Sequence, residues 1–157
     1  MIIKGIIDED FINYKKPCMV IEMPYCTFKC DKECGRQVCQ NGALATAPTI
    51  TITVNNIVKR YLSNDITFAV VLQGLEPMDS WDDVVSFVNI FRSQCDDDIV
   101  IYTGYKEEEI KDKIEWLSHH KNIIIKFGRF IPDQKSHYDE ILGVNLSSPN
   151  QYAKKIS

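Results

Sequence analysis

No apolar run in this sequence approaches the ~18 residues needed to cross a bilayer, and its first eleven residues lack the basic, apolar and small-residue succession of a secretory signal. A chain without either is expected to stay in the cytoplasm, with no membrane partner. Positive charge is not in excess: 18 Lys and Arg against 22 Asp and Glu leave a net charge of -4 and an isoelectric point near 5.4. Binding to nucleic-acid phosphates needs clustered Lys and Arg, so nucleic acid is excluded as an expected partner. Glycine and proline are few, 7 and 6 of 157 residues, and 45% of the chain is hydrophobic, which excludes disordered and fibrous classes. A single domain spanning residues 1–157 follows from that length. The sequence also has no Cys-x-x-Cys, the usual zinc knuckle, and its three histidines show no metal-ligand spacing with one another.

What the sequence does have is cysteine. Six are present, and four of them, Cys26, Cys30, Cys34 and Cys39, crowd into a single short stretch. In a reducing compartment that density points to metal binding rather than disulfides. Cys18 lies inside an apolar run and Cys95 at the end of a helical pattern, so both read as small buried hydrophobes.

Four short β-branched runs, at Cys18–Met23, 67–72, 99–102 and 122–127, read as buried strands. Helical spacing separates them. Ile57, Val58, Tyr61 and Leu62 form one apolar stripe; Val84, Val88 and Phe91 form another, opened by Ser80 as an N-cap with Asp83 three residues on. A third runs from about Glu107 to Leu117, with three glutamates as a solvated first turn. Alternating strands and helices predict an α/β fold of parallel strands joined by right-handed crossovers, with too few units to close an eight-stranded ring: a partial, open β/α barrel with flanking helices. The segment after Phe130 shows no periodicity and is expected to pack irregularly on the sheet.

Such folds gather their working groups at the C-terminal ends of the strands. The unusual residues here follow strand ends: the cysteine loop at about 24–42, Gly74-Leu75-Glu76-Pro77, Thr103-Gly104-Tyr105 and Gly128-Arg129-Phe130. Three thiolates at even spacing can hold a four-iron cubane with one iron left open, where a small molecule carrying an amino and a carboxylate group can chelate. The competing reading is a four-cysteine zinc site made by Cys26, Cys30, Cys34 and Cys39 that only stabilises the loop.

Taken in order, these motifs give the chain a resemblance over nearly its whole length to the radical S-adenosylmethionine superfamily. Within it the chain resembles the activating proteins of anaerobic ribonucleotide reductase. The residues that carry the resemblance are Cys26, Cys30 and Cys34; Gly74 to Pro77; Tyr102 to Tyr105; Gly128 to Phe130; and Asn150 with Gln151. The resemblance implies a [4Fe-4S] cluster on Cys26, Cys30 and Cys34, and S-adenosyl-L-methionine bound by Gly74, Leu75, Glu76, Thr103 and Tyr105. It further implies a glycyl radical enzyme as partner and a small electron-donor protein, with no catalytic side chain beyond the cluster. The family's cysteine spacing is Cys-x3-Cys-x2-Cys, whereas three residues separate Cys30 from Cys34, so the third ligand is Cys34 or Cys39. Leu75 stands where the family has a second glycine, and would be strained if that position required positive φ. Lys126 and Phe127 precede Gly128 where an acid is common. Tyr25 and Phe28 are expected to shield the cluster, and Arg129 to meet a carboxylate. The alternatives are a zinc- or cluster-stabilised binding module without catalysis, and activation of a different glycyl radical enzyme.

Overall fold

A computed structural model describes residues 1–157. In chain order the strands are β1 (Ile2–Ile3), β2 (Gly5–Asp10), β3 (Cys18–Met23), β4 (Ile50–Thr51), β5 (Ala69–Gly74), β6 (Asp98–Tyr102), β7 (Ile123–Phe127), β8 (His137–Asp139), β9 (Val144–Leu146) and β10 (Tyr152–Lys155). The helices are α1 (Lys29–Cys34), α2 (Gly42–Thr46), α3 (Val54–Leu62), α4 (Trp81–Arg92) and α5 (Lys111–Ser118). The four apolar runs read from the sequence become β3, β5, β6 and β7. They lie side by side and parallel, with Met23 opposite Gly74, Leu72 opposite Ile101 and Tyr102 opposite Lys126.

The sheet is mixed rather than wholly parallel. Its six strands run β10-β7-β6-β5-β3-β2, and the two outer strands are antiparallel to their neighbours. The parallel strands advance in one direction across the sheet, so right-handed crossovers place their helices on one face. That face carries the larger core, where Met19, Ile21, Val70, Leu72, Ile99 and Ile123 meet Ile57, Val58, Tyr61, Val84, Phe87, Val88 and Phe91. The opposite face, with Cys18, Val20, Val71, Val100, Ile124 and Ala153, is covered by Tyr14, Leu142 and Leu146. Parallel strands must be covered on both sides, and here irregular chain does for the second face what helices do for the first. No helix is long and apolar enough to cross a membrane.

Several local expectations change. Residues after Phe130 do pack on the sheet, but they include the antiparallel pair β8-β9 and the edge strand β10. Ser80 does not cap α4: its hydroxyl has no partner, because a 3-10 turn at Pro77–Ser80 runs directly into the helix. That turn is capped instead by Glu76, which accepts from the Met78 N–H. Asp83 accepts from the Ile2 N–H at 3.1 Å rather than reaching back to Ser80. Glu107–Glu109 form a separate 3-10 turn before α5, and they are not merely solvated: Glu107 pairs with Lys154 and Glu109 with Arg129.

The stacked Phe87 and Phe91, centroids 5.4 Å apart and fully buried, join α4 to the sheet. Phe91→Ala is expected to destabilise the chain by about 3–5 kcal/mol through lost burial and the cavity left behind. Urea unfolding followed by circular dichroism would report it as a lower midpoint at unchanged slope.

Candidate metal and ligand site

The C-terminal ends of β3, β5, β6 and β7 open onto a cavity of about 380 Å³. Three cysteines line it: Cys26, Cys30 and Cys39. Cys34 does not; it ends α1, one turn beyond Cys30. No three or more His, Cys, Asp or Glu side chains converge as a single metal ion requires. A zinc centre needs all its sulfurs about 2.3 Å from one point. Sulfurs set around a cavity suit a cluster of several irons better, and this donor set fits such a group.

The loop that carries the sulfurs is held by backbone as well as side chains. Phe28 adopts a left-handed conformation, φ 52°, immediately before α1, and its N–H donates to the Cys26 sulfur at 3.2 Å. An N–H aimed at a ligand sulfur stabilises its charged form and tunes a bound cluster. Burial works in the other direction, pushing the Cys26 thiol up to about 11 and the Cys30 thiol up to about 12, so loading must displace protons. Of the two aromatic residues expected to shield the cluster, Phe28 is half-buried, whereas Tyr25 is 51% exposed and lines neither cavity.

Gly74, Leu75, Glu76 and Thr103 line the same cavity. Gly74 has φ 90°, and a Cβ there would lie 2.9 Å from Leu44 and 3.1 Å from the Glu22 backbone, so the position demands glycine twice over. Leu75 is not among the positive-φ residues, which removes the expected strain; the leucine is buried and its N–H donates to the Met23 carbonyl. The left-handed requirement falls on Gly74 alone. Glu76, 7% exposed, accepts from the Met78 N–H at 3.0 Å, the Thr103 hydroxyl at 2.7 Å and the Gly104 N–H at 2.8 Å. Burial raises its pKa more than these donors lower it.

Tyr105 stands apart from the main cavity and lines a smaller one of about 70 Å³ beside Cys26, Cys30, Glu76 and Arg129. Its hydroxyl donates to Asp79, whose other oxygen accepts from the Thr27 N–H, so Asp79 joins the cysteine loop to the β6 end. Arg129 does meet carboxylates. It is 5% exposed, donates to Glu109 at 2.7 Å and lies 3.1 Å from Glu33 on α1, while its Nη1 has no partner. Asn150 and Gln151 serve the backbone: the Asn150 side-chain amide donates to the Arg129 carbonyl, and the Gln151 side-chain Oε1 accepts from the N–H groups of Ser147 and Ser148. Gly128, φ 97°, lets the turn before β10 approach, since a Cβ would fall 2.6 Å from the Asn150 backbone oxygen.

Sequence reasoning missed two polar groups. Asp31 accepts from the N–H groups of both Val38 and Cys39, and nothing in the spacing signals it. Lys126, noted in the sequence only as a replacement for an acid, is 7% exposed at the cavity wall and forms no ion pair; its one acceptor is the Gly128 carbonyl at 2.9 Å. Burial lowers its pKa to about 8, against the opposing pull of Glu76.

The Arg129 guanidinium holds the Glu109 carboxyl down to about 2 from its usual 4.5. A depressed acid stabilises the fold above its unfolded pKa, and that contribution fades as pH falls from about 4.5 toward 2. Glu109→Gln is therefore expected to cost about 1–2 kcal/mol at pH 7, with screening of the partly exposed carboxylate keeping the figure low. Urea midpoints of the two proteins should converge as the pH is lowered through that window.

Searches of curated proteins and of solved structures return no match. The sequence does match, over residues 18–151, the family described as "4Fe-4S single cluster domain". That span takes in the cysteine loop, all four parallel strand ends and Gln151, so the matched region includes the whole cavity wall apart from Ile12 and Asn13. Because that match covers most of the chain, the protein belongs to the 4Fe-4S single cluster domain family.

Proposed function

We propose that this protein is a radical S-adenosylmethionine enzyme that places a glycyl radical on a partner, an anaerobic ribonucleotide reductase. The observation that carries this reading is the shared cavity. Three sulfurs line it together with Gly74, Glu76, Thr103 and Lys126, which stand at the ends of neighbouring parallel strands. A reduced [4Fe-4S] cluster would supply one electron to the sulfonium, breaking its bond to the 5′ carbon to give methionine and a 5′-deoxyadenosyl radical, which takes a hydrogen atom from a partner glycine. A small electron-donor protein would restore the reduced state.

The chain's own part is binding and orientation. Three protein sulfurs leave one cluster position for a ligand with an amino and a carboxylate group. Lys126 suits the carboxylate: it is a buried cation at the cavity wall without an ionic partner. Glu76 already accepts three hydrogen bonds, so it has room for one more donor, the amino group, at its remaining lone pair. Gly74 lets the ligand and Leu44 approach the strand end without a side chain between them.

Anaerobically reconstituted protein given a strong reductant and S-adenosylmethionine should release 5′-deoxyadenosine and methionine in equal amounts. A colourless protein with stoichiometric zinc would sink the reading. Lys126→Met is expected to raise the S-adenosylmethionine concentration for half-maximal release at least about tenfold, equivalent to ~1.4 kcal/mol, with the cluster absorbance unchanged. The partner is tested by electron paramagnetic resonance, where a glycyl radical doublet should appear on the reductase only when this protein and S-adenosylmethionine are both present.

A further inference from the structure

We infer that the third sulfur ligand of the cluster is Cys39 and that Cys34 is not a ligand. This rests on the cluster reading above and goes beyond it, since a spacing of eight residues after Cys30 is not the pattern by which the site is recognised.

Three independent features place Cys39 in the role. It lines the cavity together with Cys26 and Cys30, and Cys34 does not. Cys34 ends α1 one turn beyond Cys30 and shares its helix face, so what sets it apart is that it does not reach the cavity wall.

The chain then turns back. Gly35, φ 67°, ends α1 directly after Cys34 in the left-handed conformation that reverses direction at a helix end. Asp31 Oδ1 accepts from the Val38 N–H at 2.7 Å and the Cys39 N–H at 2.8 Å, folding the returning segment onto the helix. Two residues beyond Cys39, the Asn41 amide donates to the Gly74 carbonyl at 2.6 Å. Cys39 is thus fixed on one side by the helix that carries Cys30 and on the other by the strand end that carries the Glu76 motif.

Asp31 is then a positioning residue. Its Oδ1 holds the Cys39 backbone and also lies 3.9 Å from the Cys30 sulfur, so it sets the two cysteines relative to each other. Its neutral isostere keeps the accepting oxygen, so Asp31→Asn should keep the clamp while Asp31→Ala should lose it.

The test uses the full chain, reconstituted anaerobically with iron and sulfide, and reads metal and sulfide content with the cluster's visible absorbance. Circular dichroism and thermal unfolding of each unloaded variant confirm that it folds. Cys34→Ser should load as wild type does, whereas Cys39→Ser should lose most of its iron and sulfide. Asp31→Ala should shorten the cluster's survival against a chelator at least about tenfold, with Asp31→Asn restoring it. Loss of the cluster in Cys34→Ser overturns the assignment, whether or not Cys39→Ser also loses it; so does full loading of Cys39→Ser. Wild-type protein that takes up no iron and sulfide would instead overturn the cluster reading itself, and the ligand assignment with it.

Discussion

A carboxylate that is almost wholly enclosed at the end of a sheet must be met by donors, and the site is organised around how Glu76 meets them. One donor comes from its own turn, through Met78, and two from the end of the next strand, through Thr103 and Gly104. Each bond crosses from one strand end to another or closes the turn that leads into α4. The buried charge therefore fixes the relative positions of two loops that would otherwise move independently. Pro77 follows at the first position of the 3-10 turn, where its missing N–H costs nothing.

The cysteine loop is attached to this frame by comparable contacts rather than by burial of apolar surface. No residue of α1 or α2 is buried. Asp79 reaches the loop through the Thr27 N–H, Glu33 reaches Arg129, Lys29 lies over the Tyr105 ring at 4.2 Å, and Asn41 reaches Gly74. A loop held by exposed and half-exposed polar contacts has low local stability, which is what a segment that must admit a cluster needs. Metal ligation would supply the cohesion that its own packing does not.

The two faces of the sheet divide the work. Helices on one side provide most of the core, with aromatic contacts such as Tyr61 against Phe91 and Trp81 against Trp116. The other side is covered by chain without helices, and that cover runs over the cavity: Ile12, Asn13, Val144 and Leu146 line it from above. Leaving the second face without helices is what creates room for a ligand between the strand ends and the covering segments.

The sequence alone determined the four parallel strands, the helices between them and the loops that follow each strand, because apolar periodicity reports burial directly. It determined Gly74, Glu76 and Thr103 as a group, since strand ends are where such folds concentrate polar residues. Edge strands β2 and β10 escaped it; half-exposed strands carry a weaker periodic signal, and their pairing is set by partners distant in sequence. Ser80 was misread, and the question at Leu75 stayed open, for a related reason. A cap or a strained φ depends on where the preceding turn points, and here the 3-10 turn removed Ser80 from the cap while Gly74 took the left-handed conformation in place of Leu75. The choice between Cys34 and Cys39 lay in tertiary structure altogether. Spacing counts residues along the chain, whereas sulfurs meet in space, and a six-residue helix closed by Gly35 and an aspartate bonded to two backbone N–H groups decided which of them faces the cavity.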